Sequence, residues 1–348
     1  MFDININLFS YISVRAFLAF ILSFILTVFI MPLFIAWAKN IGANQPILND
    51  APLNHQKKCN TPTMGGVIFL GATLVSSLIF VKFNLYSLGA IFALILFGGI
   101  GIIDDLGKIL KKENKAGLKP RSKMILMIIS SLIILIPLVF FSDFSTELFV
   151  PFYKYPVIDM KYFALAFWIL VLISSSNAIN LTDGLDGLAC VPSIFSLFTL
   201  SVFIYLSSNA IYANYLFLPK TPATEECVVI ALALIGALLG FLWYNCHPAQ
   251  VFMGDSGSLA LGAIVGYLAI ISKNEILLIL IGFVFVLETL SVILQVGSFK
   301  IFHKRIFKMA PIHHHFEQVG WSENKIIVRF WLVAFMTCIL ALITIKLR

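Results

Sequence analysis

The chain has 348 residues, of which 60% are hydrophobic and 12% charged, with a net charge of +7 and a mean hydropathy of +0.99. Soluble domains carry about 25% charged residues, so the composition excludes a soluble protein and predicts a polytopic membrane protein. Five scattered cysteines without a CxxC pair argue against a disulfide framework and against a zinc site. We expect one membrane domain over residues 1–348.

The apolar runs are numerous, and a bilayer-crossing helix needs about 17–25 mostly apolar residues. Before the first run lies a short polar lead with Asp3, where a cleaved signal peptide would have basic residues, so we predict a permanent span. Helices are expected rather than strands because lipid requires internally satisfied backbones and the runs show no alternation. The ten predicted spans are 16–38, 64–82, 87–103, 124–141, 161–176, 188–206, 226–243, 257–272, 276–299 and 326–345.

Positive charge is distributed unevenly between the loops. Of the 24 Lys and Arg residues, 16 lie in the loops after odd-numbered spans. The positive-inside rule therefore places these loops in the cytoplasm and both termini outside. The same loops contain all the polar motifs described below, which predicts one composite site in a cleft formed by cytoplasmic loops. The loops are 39–63, 104–123, 177–187, 244–256 and 300–329.

The first motif, "GIIDDLGK", places Asp104 and Asp105 together at the end of the third span. Adjacent carboxylates repel each other unless a cation or a proton relieves them, and an acid at membrane depth costs about 2.5–3.5 kcal/mol. A divalent metal or a phosphate-handling role explains their position. The alternative is a solvated helix end in a basic loop.

The second motif, "NAINLTDGLDG", spaces four polar residues three apart, which places them at neighbouring positions on a helix or tight turn. Such an array can bind a uracil edge, a ribose or hydrated Mg²⁺, although a polar loop with helix caps and glycine turns is an equal alternative. The four residues are Asn177, Asn180, Asp183 and Asp186.

The third motif, "VFMGDSGS", follows Asn245 and contains Phe252 and Asp255. Asp255 immediately precedes an apolar run, so it can cap that helix or hold a metal beside a phosphate. Mg²⁺ prefers oxygen ligands, often one or two carboxylates completed by substrate phosphates, and lysines such as Lys108 and Lys123 are available to neutralise a transferring group.

The fourth motif, "PIHHHFE", contains His313, His314 and His315. Three consecutive helical residues point in different directions, so a shared metal is a poor interpretation. One imidazole that binds a phosphate or transfers a proton is favoured, with an interfacial aromatic-like trio as the alternative. Glu288, inside the ninth run, is either functional or bonded to a neighbouring helix.

These motifs, together with "TPTMGG" at 61–66, occur in an order that resembles the phospho-N-acetylmuramoyl-pentapeptide transferases. That family belongs to the polyprenyl-phosphate N-acetylhexosamine-1-phosphate transferases, and the resemblance extends from about Asn40 to Trp321. It implies transfer of phospho-MurNAc-pentapeptide from its UDP carrier to undecaprenyl phosphate, giving lipid I and UMP, with Mg²⁺ as cofactor. It also implies a bacterial inner-membrane location, a homodimer, and a bent ninth span that opens a groove for the lipid tail.

The resemblance also implies residue roles. Asp104 would be the base that deprotonates the lipid phosphate, Asp105 would support it, and Asp255 would ligate Mg²⁺. His313 would be the histidine nearest the phosphates. Phe252 would stack on uracil, and Lys58 is the expected functional lysine, with Lys57 as the alternative. The remaining residues expected to bind the nucleotide sugar are Thr63, Asn177, Asn180, Asp183, Asp186, Asn245, Gln295, His314 and His315.

Two other functions compete with this hypothesis. A sister enzyme would use UDP-GlcNAc instead, and "PIHHHFE" argues against it because those enzymes carry a different histidine pattern. An ion-coupled transporter is disfavoured because acids within the spans are almost absent and the polar motifs gather on one face. A two-step route with Asp255 as nucleophile remains open beside direct attack by the lipid phosphate.

Overall fold

The structure is a computed structural model that describes residues 8–43, 61–111 and 117–347. Within these ranges the chain is predominantly helical, and its strands form one short antiparallel hairpin, β1 (Glu147–Leu148) with β2 (Ile158–Asp159). The helices are α1 (Ile12–Asn40), α2 (Gly66–Phe80), α3 (Leu85–Lys111), α4 (Pro120–Phe140), α5 (Phe163–Thr182), α6 (Cys190–Ser208), α7 (Ala210–Leu216), α8 (Glu226–Asn245), α9 (Gly254–Ile271), α10 (Leu278–Ile281), α11 (Phe283–Phe302), α12 (Ile312–Val319) and α13 (Glu323–Ile343).

The predicted all-α integral membrane protein is confirmed. Among the described residues, nine helical segments are long and apolar enough to cross a bilayer, and α2, with 15 residues, is a shorter apolar helix. Each of the ten predicted spans falls on one of these segments. The ninth run differs, because it is divided into α10 and α11 at Gly282.

The interruption at Gly282 is compensated by side chains of other helices. The carbonyl of Ile281 accepts hydrogen bonds from Ser196 Oγ of α6 (3.2 Å) and from Cys338 Sγ of α13 (3.4 Å). Backbone groups freed inside a membrane helix need such partners, since lipid supplies none. The break is therefore supported by two neighbouring helices.

Helix α9 is the central helix of the bundle: 89% of its 18-residue apolar window is buried. Its first turn packs on α3 at Gly101, where a Cβ would lie 2.1 Å from the carbonyl oxygen of Asp255. Only glycine allows the two backbones to approach this closely. The packing of α3 against α9 thus brings the motif that follows Gly101 beside the start of α9.

A buried ion pair joins α1, α2 and α8. It lies near the start of α3, at the opposite end of that helix from Gly101. The guanidinium of Arg15 donates to both carboxylate oxygens of Glu226, at 2.6 Å each, and also to the carbonyl of Phe80 at 2.9 Å. A buried charge must be paired in this way or it is strongly destabilising. This ion pair is a structural contact, remote from the polar motifs.

Candidate functional site

Three aspartates from two helices form the centre of the site. Asp104 and Asp105 lie in the last two turns of α3, and Asp255 lies in the first turn of α9. Each offers a carboxylate oxygen that lies within 4.8 Å of those of the other two. The first and third sequence motifs, 150 residues apart, therefore meet as expected.

Asp105 bonds the amino end of α9. Its two carboxylate oxygens accept hydrogen bonds from the backbone N–H of Asp255 (3.1 Å) and of Ser256 (2.9 Å), groups that have no partner within their own helix. The capping role that was an alternative for Asp255 is thus performed by Asp105. Gly254 has a φ of +76°, and a Cβ there would lie 2.6 Å from Asp105 Oδ2.

Two lysines neutralise the other two carboxylates. Lys108 Nζ lies 2.6 Å from Asp104 Oδ2 and 3.1 Å from Asp255 Oδ2, and Lys123 Nζ lies 2.7 Å from Asp255 Oδ2. With the three carboxylates ionised, the two ammonium groups leave one excess negative charge at a largely buried site. This favours an added cation and still provides positive groups for a phosphate.

Asn180 supports Asp255 from the other side. Its side-chain amide donates to Asp255 Oδ1 (2.9 Å) and to Ser258 Oγ (2.8 Å), so one oxygen of Asp255 faces an amide and the other faces the lysines. The carboxylates of Asp104 and Asp255 are hard oxygen ligands of the type that Mg²⁺ prefers. They fit a divalent cation, which would compete with the lysines for Asp255 Oδ2.

The four polar residues of the second motif do not share one contact point. Asn180 reaches Asp255, whereas Asn177 donates to the carbonyl of Ile173 on its own helix (2.8 Å). Asp183 follows the end of α5 and is partly buried. Loss of hydration raises the pKa of the Asp183 carboxyl well above its ordinary value, and the negative charges of three nearby aspartates raise it further.

Asp186 belongs to a second cluster at the same loop. It is buried, and Oδ2 lies 2.9 Å from His247 Nδ1 and accepts from the backbone N–H of Ala249 (3.1 Å). Glu323, at the start of α13, lies 3.5 Å from the same imidazole nitrogen. Asp186 therefore ties the loop of the second motif to the loop that leads into Phe252.

Asn245 makes a parallel connection between these two loops. It accepts from the backbone N–H of Gly187 (3.0 Å) and donates to the carbonyl of Val251 (2.8 Å), and it is buried. Both of its side-chain atoms are thus used within the protein. The second and third motifs are held together by side-chain to backbone hydrogen bonds at two places.

The segment "TPTMGG" pairs with the third motif through its backbone. Phe252 N–H donates to Pro62 O (2.8 Å), and Gly65 N–H donates to Phe252 O (2.9 Å). Thr63 is buried, with its hydroxyl beside Gly254, and the ring of Phe252 remains partly exposed. Lys57 and Lys58 lie outside the described residues.

The three histidines contact three different partners, as consecutive positions of α12 require. His313 is buried with Nδ1 3.1 Å from Glu288 Oε2, and His314 Nδ1 lies 2.7 Å from Glu317 Oε2. His315 Nδ1 accepts from the backbone N–H of Lys308 (3.1 Å).

Gln295, on α11, forms hydrogen bonds with the basic segment that precedes α12 and holds that segment against α11. Its amide accepts from the N–H groups of Ile306 and Phe307 and donates to the carbonyl of Phe307. The roles that the family resemblance implies for Gln295 and the three histidines stay predictions, and their described contacts are to other protein groups.

Sequence reasoning assigned no role to two residues that the structure brings into the site, His247 and Glu323, and it named Lys108 and Lys123 only as cations available to a transferring group. Lys108 had a usable signal, since it follows Asp104 by four residues on one helix. Glu288 was predicted to be either functional or bonded to a neighbouring helix, and it lies against His313 of α12. Lys123, His247 and Glu323 lie on separate elements, and no local pattern connects them to the aspartates.

Comparison with known proteins gives matches over nearly the whole chain. A profile for glycosyl transferase family 4 matches residues 87–273, and a profile for the phospho-N-acetylmuramoyl-pentapeptide-transferase signature 1 matches residues 58–70. The chain is 66% identical over 341 residues to the phospho-N-acetylmuramoyl-pentapeptide-transferase of Campylobacter jejuni subsp. jejuni (strain 81-176), covering 98% of this chain and 97% of that protein.

Proteins of the same name from Sulfurimonas denitrificans and a Nitratiruptor species are 57% and 56% identical, each covering 99% of this chain and 98% of their own length. The profile match includes the double aspartate, the second motif and Asp255, all of which the fold brings to one end of α9. The chain belongs to the phospho-N-acetylmuramoyl-pentapeptide transferase family.

Proposed function

We propose that this chain transfers phospho-MurNAc-pentapeptide from UDP-MurNAc-pentapeptide to undecaprenyl phosphate, producing lipid I and UMP. The observation that carries the proposal is that Asp104, Asp105 and Asp255 lie together with two lysines. The chain also matches a protein named as this transferase over nearly the whole length of both. Phosphoryl transfer requires positioning and neutralised charge more than covalent chemistry by the protein, and this cluster provides both.

In the proposed reaction, an oxygen of the lipid phosphate attacks the β-phosphorus of the UDP-sugar. A new P–O bond forms, the bond from the β-phosphorus to the bridging oxygen breaks, and UMP leaves with the electron pair. Asp104 accepts the proton of the lipid phosphate, while Lys108 and Lys123 neutralise the diphosphate oxygens. Mg²⁺, held by Asp255, would supply further charge neutralisation at the diphosphate.

The proposed role of Asp105 is to orient Asp255. Because it bonds the N–H groups of Asp255 and Ser256, it fixes where α9 begins and hence where the Asp255 carboxylate points. The nucleotide-sugar ligands are proposed to be Lys58, Thr63, Asn177, Asn180, Asp183, Asp186, Asn245, Gln295, His314 and His315, with Phe252 stacking on uracil and His313 beside this site. Among the described members of this set, Asn180 donates a hydrogen bond to Asp255 itself.

An apolar groove between α5 and α11 is proposed to hold the polyprenyl chain of the acceptor. Phe167 and Val171 line it from α5, and Phe285 and Val286 line it from α11. A groove of this kind suits an isoprenoid tail, which has no polar atoms to satisfy. The proposal includes a cytoplasmic cleft in the bacterial inner membrane, external termini, and a homodimer.

The test is UMP release by the purified protein with undecaprenyl phosphate and Mg²⁺. UDP-MurNAc-pentapeptide should support turnover and UDP-GlcNAc should not. Asp255→Asn should lower turnover by at least about 10²–10³-fold, whereas Asp143→Asn, at a carboxylate outside the site, should not. Near-normal turnover by a folded Asp255→Asn protein would overturn the metal assignment. Detection of a phosphorylated Asp255 would replace direct attack by a two-step route. Ion flux through the reconstituted protein without UMP release would favour a transporter.

A further inference from the structure

Glu288 and His313 form a buried pair on two different helices, α11 and α12. Their side chains are 0% and 1% exposed, and Glu288 Oε2 lies 3.1 Å from His313 Nδ1. None of the two carboxylate oxygens and two imidazole nitrogens makes a hydrogen bond in the described structure, so the 3.1 Å contact is a close polar contact without hydrogen-bond alignment. Because buried polar atoms nearly always need a partner, each side chain of this pair depends on the other.

The opposite edge of the imidazole lies against the turn that follows Asp183. A Cβ at Gly184 would be 2.4 Å from His313 Nε2 and 2.8 Å from Cε1. The ring is therefore in contact with the backbone of this turn, and only a residue without a side chain leaves room for it. The turn and α11 also meet in a small apolar core that includes Leu185 and Val284.

This geometry does not leave His313 free to bind a phosphate. Its Nδ1 faces Glu288, and its Nε2 is covered by Gly184 and lies out of contact with solvent. The group that the ring supports is the turn beginning at Asp183, which is partly exposed and follows α5, the helix that carries Asn180. A carboxylate beside an imidazole holds the ring in one orientation, as in metal sites and catalytic triads.

We propose that Glu288 is a positioning residue: it holds His313 against Gly184, and the pair sets the position of the Asp183 turn in the nucleotide-sugar site. His313 is then also a positioning residue, acting through the turn rather than touching the phosphates. This inference rests on the proposed function, because it assumes that the turn binds the nucleotide sugar.

The two roles predict different kinetics. A positioning pair predicts that Glu288→Ala raises KM for UDP-MurNAc-pentapeptide by about 10-fold to 100-fold, with KM for undecaprenyl phosphate unchanged and kcat altered less than KM. Glu288→Gln, which keeps the shape and one acceptor oxygen, should recover most of the affinity. If His313 contacts the phosphates itself, Glu288→Ala and His313→Gln should instead lower kcat with KM unchanged, and that result would overturn the proposal.

Gly184→Ala provides the matched change on the other side of the ring. Its methyl group would press on His313, so it should raise the same KM, and the double variant with Glu288→Ala should be less severe than the sum of the two single variants. Strict additivity would contradict a shared mechanism. Ile293→Ala, on the exposed face of α11, is the control that leaves both kinetic constants unchanged.

Hydrogen exchange gives a readout that does not depend on activity. Glu288→Ala should accelerate amide exchange in residues 183–188 and leave the hairpin of β1 and β2 unchanged, whereas unchanged exchange in 183–188 would overturn the proposal. If the wild-type protein releases no UMP while the exchange result holds, the proposed function fails and the positioning contact stands. If UMP is released and the exchange result fails, only the positioning inference is wrong.

Discussion

Asp255 has different partners at its two carboxylate oxygens, an amide at Oδ1 and two ammonium groups at Oδ2. A divalent cation that binds this carboxylate competes with the lysines at Oδ2, because cations at one oxygen repel each other. Each lysine released from Asp255 becomes available to a phosphate oxygen. The lysines therefore set both the affinity for the metal and the charge offered to the substrate.

Lys108→Met is expected to tighten metal binding and to slow the reaction. Removing the ammonium 2.6 Å from Asp104 and 3.1 Å from Asp255 leaves more negative charge for Mn²⁺, so its affinity should rise by up to about tenfold, or roughly 1.4 kcal/mol, while UMP release falls. Binding can be measured from the electron paramagnetic resonance of free Mn²⁺. Lys111→Met, at an exposed position three residues further along α3, is the control, and weaker Mn²⁺ binding by Lys108→Met would contradict the argument.

At the scale of helices, the site depends on how closely α3 approaches α9. Gly101 lies against the carbonyl of Asp255, whereas an added Cβ at Gly99 would meet no atom within 4 Å. The two glycines are on the same helix and two residues apart. Comparing an alanine substitution at each therefore distinguishes the effect of packing against α9 from the effect of helix propensity.

Gly101→Ala should force α3 away from α9 and lower UMP release strongly, since overpacking costs about 1–3 kcal/mol and displaces both aspartates. Gly99→Ala should be tolerated or slightly stabilising, because alanine favours helix over glycine by about 1 kcal/mol. Activity and apparent melting temperature, measured on both variants, test this. Equal losses in the two variants would show that backbone propensity, rather than contact with α9, is the cause.

The loop between α9 and α10 contains two buried ionisable side chains. Lys273 and Glu275 are both buried; Lys273 donates to the carbonyl of Ser145, and Trp168 Nε1 donates to Glu275 Oε1 (2.9 Å). Loss of hydration raises the pKa of the Glu275 carboxyl from 4.5 to about 7. The carboxyl group of Glu275 therefore binds a proton more tightly in the folded protein than in the unfolded chain.

Stability from Glu275 should be fully present below pH 4.5 and should be lost as the pH rises through about 7, the pKa of this carboxyl in the folded protein. The change corresponds to about 3 kcal/mol at most, from the shift in pKa. The apparent melting temperature in detergent should thus fall between about pH 5 and pH 8, and Glu275→Gln should reduce that fall. The idea is wrong if the variant and the wild type show the same pH dependence.

At the scale of the whole molecule, the proposed topology places every polar motif on the cytoplasmic side. Cys246 is exposed in the loop of Asn245 and Phe252, whereas the other described cysteines are buried. The chain therefore carries a natural reporter for the side on which the site opens.

In a Cys59→Ser background, a membrane-impermeant maleimide should fail to label Cys246 in intact spheroplasts and should label it after permeabilisation. Lys154→Cys, exposed between β1 and β2, should be labelled in intact spheroplasts if the opposite loops are external. Labelling of Cys246 without permeabilisation would reverse the orientation and place the aspartates outside.

Much of the fold was predictable because each span is a local property. A run of about 20 apolar residues must form a helix in lipid whatever surrounds it, so the all-α class and the ten apolar helices followed from composition and length, although among the described residues only nine are long enough to cross a bilayer. The family resemblance implied a bent ninth span, but no residue pattern located the division at Gly282, because it depends on Ser196 and Cys338 reaching the carbonyl of Ile281 from two other helices.

The sequence by itself also determined the residue types of the site, since Asp104, Asp105 and Asp255 stand out as acids beside apolar runs. Only the tertiary structure decided their partners: Asp105 at the start of α9, Asp186 against His247, and His313 between Glu288 and Gly184. These contacts join residues far apart in the chain. Polar type and helical spacing are encoded locally, whereas the partner of a buried polar group depends on which helices pack together.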